Sequence, residues 1–589
     1  MKSFFIMKKI KLLVVAGIFL LACYFLISKD FDKNEAIIYT NGNFITLDKN
    51  LPKATAIFVE DGKIIDIGNS TTLQENHPTI KTIDLKGATV LPGFIDSHTH
   101  VALSAFFNDM IDLSGFKHKN NAEVWEYLQE QIKTKKDDEW IICKGIDPIL
   151  VEDLKTPNIT FLDKIAPNNP VLLVSQSMHT YWVNSATLKK VGIDKNTPNP
   201  SEASFYEKDS NGELTGLIAE QEAFTPILNQ LKEDVLTSDF LINSTVKTLK
   251  KYAKNGNTTL VSAGITINDD KPLRLYEHLS AKKSSFLNQS LVTIGLLPKR
   301  TQNPRHFIYI RHDRSFLLPK EKQENDFYNI IGVKHWFDGS PYTGSMYLKE
   351  PYLSSDLTKN ELHIPDGYSG KALIEEDSLV EFIKKYHAKG WQIAIHSQGD
   401  LSNQKVINAF KKANKTVNIK EKRHRLEHCL LISSNSILEM KDLNLTPSFH
   451  INHLYYYGKA LSESVIGKTR AEKILPIKTT EKLQIPYSLH ADQPMFESKP
   501  FHLIQTAVKR QTKEGDTLGY QQKISILNGL KAMTINAAWQ IHKEDKIGSL
   551  SKGKYADFII VDKNPLEIPI DSLHNIQVLK TFVNGNEIR

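Results

Sequence analysis

The chain has 589 residues, of which 41% are hydrophobic and 24% are charged. This balance excludes a disordered chain, and the length exceeds that of a single ordinary domain. The formal net charge is +7, and its lysines form no dense run beyond the first residues, which argues against a nucleic-acid-binding protein. The three cysteines, Cys23, Cys143 and Cys429, indicate neither a disulfide scaffold nor a zinc knuckle.

The first 30 residues have the pattern of a bacterial export signal. Lysines precede an unbroken apolar run from Leu12 to Ile27, and polar sequence follows from Ser28. Leu20–Cys23 resembles the lipobox of lipoproteins, although the residues after Cys23 stay apolar. An uncleaved membrane anchor and a lipid anchor are both open, and a soluble secreted form is the third alternative. We therefore predict a protein of the bacterial cell envelope, attached to the membrane through residues 1–30, with its catalytic part outside the cytoplasm.

Both ends of the remaining chain are rich in predicted strands. Ala36–Gly42 and Thr55–Ile65 are short β-branched runs that end in or contain Asn-Gly or Asp-Gly, which is typical of hairpins. Near the C-terminus, Ala556–Asp562 and Val578–Val583 are also short runs of apolar and β-branched residues. These pieces are expected to pair into one small β-domain around a central body.

The central body alternates short apolar strands with longer helical stretches, which predicts a parallel α/β fold. Eight strand–helix units indicate a closed barrel, whose chemistry lies at the C-terminal ends of the strands. The eight predicted strands are Val90–His100, Thr258–Gly264, Ser290–Leu297, Ile330–Asp338, Gln392–Gly399, His424–Leu430, Leu445–His450 and Pro486–Asp492. The interval from Ser104 to Thr248 is too long for one loop, so it is predicted to be a folded insertion over the mouth of the active site.

The first predicted strand carries the strongest chemical signal, because it ends in His98-Thr99-His100. Alternation along a strand sends both histidines to one face, so both imidazoles can reach one metal ion. A structural role is the alternative. The His-x-His motif after an apolar run and Pro-Gly favours metal ligation.

Lys334 lies among apolar residues of the fourth predicted strand, where an ammonium group is costly to bury. One resolution is reaction of its neutral amine with carbon dioxide, which gives a carbamate able to bridge two cations. The alternative is a lysine that is paired with a nearby carboxylate.

His396, His428 and Asp492 each lie at or near the end of a later predicted strand. Either histidine alone could be a core residue, but their positions in the expected order favour metal ligation. The Asp492 carboxylate could accept a proton from a metal-bound water and pass it to a leaving group. A helix N-cap is the alternative for this residue. His424, deeper on the sixth strand, is interpreted as structural.

From about residue 36 to the C-terminus, the chain resembles the amidohydrolase superfamily, and most closely its YtcJ-like branch, which includes N-substituted formamide deformylases. The motifs that support this resemblance are Pro92–His100, His179 with Asn184-Ser185, Gly212–Gly216, Lys334 with Asp338–Ser340, His396 with Gly399-Asp400, Arg425–His428 and Ala556–Phe558. The resemblance implies a distorted (β/α)8 TIM-type barrel over residues 92–545, with the insertion at about 104–248. It also implies a composite β-sandwich domain formed by residues 31–91 and 546–589.

The resemblance further implies one or two divalent metal ions, with zinc expected. By carry-over, the ligands are His98, His100, Lys334, His396, His428 and Asp492. The paired histidines and the aspartate would hold one ion, the two later histidines the other, and carboxylated Lys334 would bridge them. A hydroxide activated by the metal would attack a carbonyl, and Asp492 would protonate the departing nitrogen.

Three further histidines are predicted to contact the substrate. His450 and His453 lie in Ser448–His453, which resembles the deformylase-like subgroup, and plain loop packing is the alternative. His179 belongs to the motif in the insertion, where Met178 replaces the usual glycine. This departure leaves the ligand set intact but affects the shape of the pocket.

The predicted function is hydrolysis of a non-peptide, amide-type C–N bond in a small molecule. An ester or lactone hydrolase on the same centre is an alternative, because attack on either carbonyl needs the same groups. A non-catalytic, membrane-tethered binding protein is a second alternative, which the intact ligand set argues against. A homodimer is plausible for this fold, and no nucleic-acid partner is expected.

Overall fold

The computed structural model describes residues 35–589 except 152, 201–203, 266, 268, 269, 283–285 and 300, and it also describes residue 17. The predicted leader, residues 1–30 with Cys23, otherwise lies outside the described residues. Within the described part of the chain, no helix is both long enough and apolar enough to cross a membrane.

An eight-stranded parallel sheet forms the centre of the molecule, and its strands pair in chain order. The barrel strands, one to eight, are Phe94–Thr99, Asn257–Ile265, Arg305–Arg311, Tyr328–Trp336, Gln392–Ser397, Arg425–His428, Thr446–His450 and Ser488–His490. A side-chain hydrogen bond of 2.8 Å from Ser97 to Ser488 links the first and eighth strands, which brings the barrel close to closure. The strands are buried along nearly their whole length because the helices cover the outer face and packed side chains fill the inner one. This architecture confirms the predicted TIM-type barrel.

Helices pack around and beside this barrel. They are Val101–Phe107, Ser238–Lys254, Lys271–Ser280, Phe286–Thr293, Glu376–Ala388, Asp400–Asn414, Ser434–Asp442, Asn452–Ala460, Lys468–Ala471, Ile477–Lys482, Pro500–Lys509, Ile526–Ala532 and Ile535–Gln540. Short 3-10 turns lie at His312–Leu317, Ile419–Lys422, Tyr520–Gln522 and Ile570–Asn575, and π turns lie at Leu357–Glu361 and Leu461–Val465.

The prediction of the third barrel strand was wrong. Ser290–Leu297 overlaps the helix Phe286–Thr293, and the strand itself is Arg305–Arg311. Its first two residues, Arg305 and His306, are fully buried. The sequence does not predict this burial, because such polar side chains are normally exposed. The buried guanidinium is tolerated because it makes a bidentate ion pair with Asp557, at 2.6 and 2.8 Å.

A β-sandwich is built from both ends of the chain, as predicted. One sheet contains Lys63–Gly68, Ala56–Glu60, Ile37–Thr40 and Lys81–Asp84, and the other contains Asn586–Glu587, Val578–Val583, Phe558–Val561, Thr89–Pro92, Asn43–Ile45 and Lys53–Ala54. In the second sheet, Thr89–Pro92 pairs with both an N-terminal and a C-terminal strand. Aromatic residues fill the space between the sheets, and the rings of Phe558 and Phe582 stack at 4.3 Å. The helix Ser70–Asn76 lies beside the first sheet.

The segment between the first two barrel strands folds around a six-stranded sheet of its own. The strands in spatial order are Phe205–Lys208, Leu214–Ala219, Thr180–Val183, Val171–Ser175, Ile141–Ile146 and Ile111–Asp112. The helices are Asn121–Ile132, Ile159–Ile165, Ser185–Val191 and Glu220–Asp234. Among the described residues, two side-chain hydrogen bonds join this insertion to the barrel mouth. Tyr457, in the helix Asn452–Ala460, donates to Asp147 at 2.6 Å, and the Gln176 side chain donates to the Met495 carbonyl.

Candidate active site

Predicted ligands from the first and last barrel strands meet at the C-terminal end of the barrel. Asp492 Oδ1 lies 3.0 Å from His100 Nε2 and 3.3 Å from His98 Nε2. They meet because the first and eighth strands are neighbours, and the His100 backbone N–H donates to the Gln493 carbonyl at 2.9 Å. Burial raises the pKa of Asp492, but His98 and His100 outweigh this effect and hold it well below its usual value. The carboxylate is therefore ionised at neutral pH.

The predicted ligands from the fifth and sixth strands join the same cluster. The rings of His396 and His428 lie 4.3 Å apart, and the ring of His428 lies 4.7 Å from that of His98. His428 Nδ1 is 3.8 Å from Asp492 Oδ2. Burial lowers the pKa of both His396 and His428 well below the usual range. Their imidazoles are therefore neutral, which is the state that binds a metal ion.

Lys334, on the fourth strand, is fully buried, and its Nζ has no hydrogen-bond partner within the described residues. Burial lowers its pKa to about 8, although the charges of Glu427 and Asp492 act in the opposite direction. The second barrel strand leaves room for this side chain at Gly264, whose φ is +95°. A Cβ atom there would lie 3.0 Å from Lys334 Cγ and 2.5 Å from the Trp336 ring.

Ligand atoms of His98, His428 and Asp492 lie within 4.8 Å of one another. Burial leaves Lys334 Nζ and His428 Nδ1 without hydrogen-bond partners among the described side chains. Such orphaned polar atoms are costly unless a ligand satisfies them. Imidazole nitrogens and a carboxylate are donors that zinc and similar divalent ions accept, so the residues present fit a metal centre.

Sequence reasoning treated Glu427 and Arg425 only as parts of a motif, but they support the first ligand directly. Glu427 Oε2 lies 2.6 Å from His98 Nδ1, and Arg425 donates to the same carboxylate at 2.7 and 3.0 Å. Arg425 also donates to the Ser97 carbonyl at 2.8 Å. With Nδ1 held by a carboxylate, His98 presents Nε2 towards Asp492. The signal that could have found them is a pair of opposite charges two residues apart on a buried strand.

Asp338 joins the ends of the fourth and fifth strands. Its buried carboxylate accepts backbone N–H groups of Gln398 and Gly399, both at 2.9 Å, and of Tyr347 at 3.0 Å. His396 Nε2 lies 4.0 Å from Asp338 Oδ1. The conformation of the loop that follows His396 is thus tied to the fourth strand.

Sequence reasoning also missed His490, the last residue of the eighth strand, which precedes Asp492 by two residues. Its ring stacks on His98 at 4.5 Å, and both of its nitrogens lack hydrogen-bond partners within the described chain. His98, Glu427 and His490 form a second group of closely spaced potential ligands. In the predicted strand Pro486–Asp492, alternation puts His490 and Asp492 on one face, so His490 could have been found from the sequence.

The histidines predicted to contact the substrate border this cluster. His450 Nδ1 lies 4.0 Å from Asp492 Oδ2, and the rings of His450 and His453 lie 4.1 Å apart. His453 Nδ1 is 2.7 Å from the Tyr342 hydroxyl. Both histidines are almost completely buried, and the ring of His450 lies 5.8 Å from that of His428. His179, from the insertion, is partly exposed. Burial lowers its pKa, but Glu220 outweighs this effect and Asp492 acts in the same direction, so the pKa is raised.

Comparisons with known proteins agree with this architecture. A model of the amidohydrolase family matches residues 81–589. The putative amidohydrolase YtcJ of Bacillus subtilis is 27% identical over 93% of this chain and 98% of its own length. The N-substituted formamide deformylase of Arthrobacter pascens is 24% identical over 93% of this chain and 97% of its own.

Among solved structures, an uncharacterized metal-dependent hydrolase from Pyrococcus horikoshii has a TM-score of 0.68. It is 21% identical, and the alignment covers 91% of this chain and 99% of that one. This similarity supports the fold. The family match covers most of the sequence and includes every predicted ligand. The chain therefore belongs to the amidohydrolase family and is a hydrolase.

Proposed function

We propose that this protein is a metal-dependent hydrolase that cleaves an amide-type C–N bond of a small molecule. The observation that carries the proposal is the convergence of His98, His100, His428 and Asp492 at one end of the barrel, with contacts of 3.0 to 3.8 Å to the aspartate. These residues come from positions up to 394 apart in the numbering (492 minus 98), so their meeting is a property of the fold.

Six side chains would hold the metal, which we propose to be zinc in one or two ions. The first position would be bound by His98, His100 and Asp492, and the second by His396 and His428. Lys334 would bridge the positions as a carbamate, which its burial and its unpartnered Nζ support. When bound, a divalent ion lowers the pKa of a coordinated water to about 7 and polarises a carbonyl group.

Asp492 would move the proton. Its Oδ2 faces His428 and His450 at 3.8 and 4.0 Å, whereas Oδ1 faces the first histidine pair. An ionised carboxylate in this position can accept a proton from water at one oxygen and release it to the departing nitrogen. Glu427 and Arg425 would keep His98 in the tautomer that leaves Nε2 free for the metal.

The test is hydrolysis of a panel of N-acyl amines, each with its matched ester, by the metal-replete protein. We expect turnover of at least one amide class, with kcat at least about 100-fold lower in Asp492→Asn because a general acid–base group is lost. The matched control is Asp377→Asn, an exposed carboxylate paired with Lys412, which should retain full activity.

Faster hydrolysis of the esters, with no detectable amide turnover, would favour an ester or lactone hydrolase on the same centre. Full activity of Asp492→Asn would contradict the role assigned to this residue. Metal analysis of the same samples is an independent check. Absence of stoichiometric metal after metal-replete preparation would overturn the proposed centre.

We also propose that residues 1–30 export the protein and attach it to the outer side of the cytoplasmic membrane. The support is the sequence pattern of lysines before the apolar run from Leu12 to Ile27. Fractionation of cells that express the full chain should find the protein with membranes. The Cys23→Ser variant separates the two anchors, since it should release only a lipid-anchored protein.

A further inference from the structure

The insertion presents a histidine–carboxylate pair near the barrel mouth. Its strands Thr180–Val183 and Leu214–Ala219 are antiparallel, with Thr180 opposite Ala219. His179 and Glu220 are therefore the next residues beyond the paired ends of these strands. The Glu220 backbone N–H donates to the His179 carbonyl at 2.8 Å, and Glu220 Oε2 lies 2.8 Å from His179 Nδ1. The two residues are thus joined through both backbone and side chain.

The backbone at this pair is held in an unusual conformation. Glu220 has a φ of +65° and Met178 a φ of +62°, in the left-handed region that residues with a Cβ atom rarely occupy. Such conformations persist where surrounding contacts determine them, and they concentrate at functional sites. Glu220 therefore occupies a backbone conformation that glycine adopts with less strain.

The pair interacts electrostatically with two predicted metal ligands, since the charges of His179 and Asp492 affect each other and that of His179 acts on His396. Met178 packs against both the main barrel core and the core of the insertion. Burial lowers the pKa of His179, but Glu220 outweighs this effect so that the pKa is raised, and the Asp492 charge acts in the same direction. The side chains of His179 and Glu220 remain 23% and 27% exposed. Within the described chain, His179 Nε2 has no hydrogen-bond partner, so it is available to a ligand.

We infer that Glu220 is a positioning residue that orients His179, whose Nε2–H then donates a hydrogen bond to the carbonyl oxygen of the scissile amide. This inference rests on the proposed hydrolase function. Nδ1 is occupied by the carboxylate, which leaves one ring nitrogen for the substrate and prevents rotation of the imidazole. The insertion thereby supplies one wall of the active site with a donor directed at the group that gains negative charge.

A double-mutant cycle tests whether Glu220 acts through His179. Glu220→Ala should lower kcat/KM by about 10- to 100-fold, and Glu220→Gln by less because the amide oxygen can still accept the Nδ1–H. In a His179→Ala background, the same Glu220→Ala change should alter kcat/KM by less than about twofold. Equal effects of Glu220→Ala in both backgrounds would overturn the inference, since a merely structural role is independent of His179.

The matched control is Glu213→Gln, which lies in the same hairpin and pairs with Lys195 on the surface. Its kcat/KM should equal that of the wild type. Thermal unfolding and metal content of each variant show whether it is folded and loaded. If Glu220→Ala does not fold, the Glu220→Gln variant and its combination with His179→Ala complete the cycle.

A second measurement does not depend on hydrolysis. In 15N-histidine-labelled, metal-free protein, we expect a downfield Nδ1–H signal that is present in Glu213→Gln and lost in both His179→Ala and Glu220→Ala. Absence of this signal from the wild type would overturn the pairing. A wild type that shows the signal but hydrolyses none of the amides or esters would contradict the proposed function and, with it, the substrate role of His179.

Discussion

Lys334 illustrates what burial does to a single ionisable residue. Its amine is fully enclosed and has no hydrogen-bond partner among the described residues, and its pKa is lowered to about 8. Glu427 is the opposite case, because Arg425 and His98 satisfy its buried carboxylate. Among the described residues, the Lys334 amine thus lacks a hydrogen-bond partner, whereas the Glu427 carboxylate has two, Arg425 and His98. The first is suited to chemical modification or metal binding, and the second to holding a ligand in place.

Replacement of Lys334 by alanine should remove the bridge between the two proposed metal positions. We expect the metal content to fall by at least half. Loss of a residue that only orients a metal ligand typically lowers activity by about 10- to 100-fold, and kcat should fall by more than this. Metal analysis and kinetics measure both effects. Partial recovery with added short-chain carboxylates would support a bridging carbamate, whereas unchanged metal content and activity would contradict it.

Substitution of Glu427 by glutamine should weaken metal binding by about 10- to 100-fold, because His98 loses the carboxylate that orients it. The change also leaves the buried Arg425 charge without its anion, which should cost about 3 to 5 kcal/mol of stability. Metal titration and thermal unfolding separate the two effects. Unaltered metal affinity would show that Glu427 stabilises the barrel without supporting the ligand.

Among the elements, the third barrel strand depends most on distant partners. Arg305 begins the strand and makes its ion pair with Asp557 in the β-sandwich, and the guanidinium lies 3.8 Å from the centre of the Phe327 ring. His306, next along the strand, donates to or accepts from the Ser262 hydroxyl at 2.7 Å. These contacts let two polar residues lie inside a barrel, and they link the barrel to the sandwich.

Removal of one member of the Arg305–Asp557 ion pair should destabilise the fold more than removal of both. Asp557→Asn should cost about 3 to 5 kcal/mol because Arg305 stays buried and charged. Combination with Arg305→Met should recover part of this loss, as measured by denaturant or thermal unfolding. If the loss of unfolding free energy in the double variant equals the sum of the losses in Asp557→Asn and in Arg305→Met, this account is contradicted.

His306 should make the fold sensitive to acid. Burial lowers its pKa from 6.5 to about 3, so the folded state binds fewer protons than the unfolded state. Its contribution to stability is therefore present above about pH 6.5 and is lost as the pH falls towards 3. When the pH falls from 7 to 5, the free energy of unfolding should decrease by about 2 kcal/mol less in His306→Gln than in the wild type. Equal losses in the two proteins would contradict the assignment.

For the whole molecule, the main consequence of the fold is that ligands from both ends of the barrel sequence meet at one place. A metal bound there would link the first strand to the fifth, sixth and eighth. Chelation should therefore lower the thermal midpoint, since a ligand present at 100 times its Kd stabilises the folded state by about 2.7 kcal/mol. Readdition of zinc should restore the midpoint. A midpoint that is insensitive to chelation and to added zinc would argue against a centre in this location.

Much of the barrel and the clustering of its predicted ligands could be predicted from the sequence. The order of parallel strands dictates that their C-terminal ends lie at one rim, so His98, His396 and Asp492 had to lie near each other once each was assigned to a strand end. Alternation along a strand likewise placed His98 and His100 on one face. These are local regularities, which a sequence expresses directly.

The tertiary structure alone decided the features that depend on partners far apart in the chain. Arg305 can begin a buried strand only because Asp557 neutralises it, and a helix replaced the strand predicted before it. Glu427 reaches His98, and Glu220 reaches His179, across strands whose register no local pattern specifies. Whether a buried charge is tolerated depends on the partner that packing brings within about 3 Å, and this distance is a property of the folded chain.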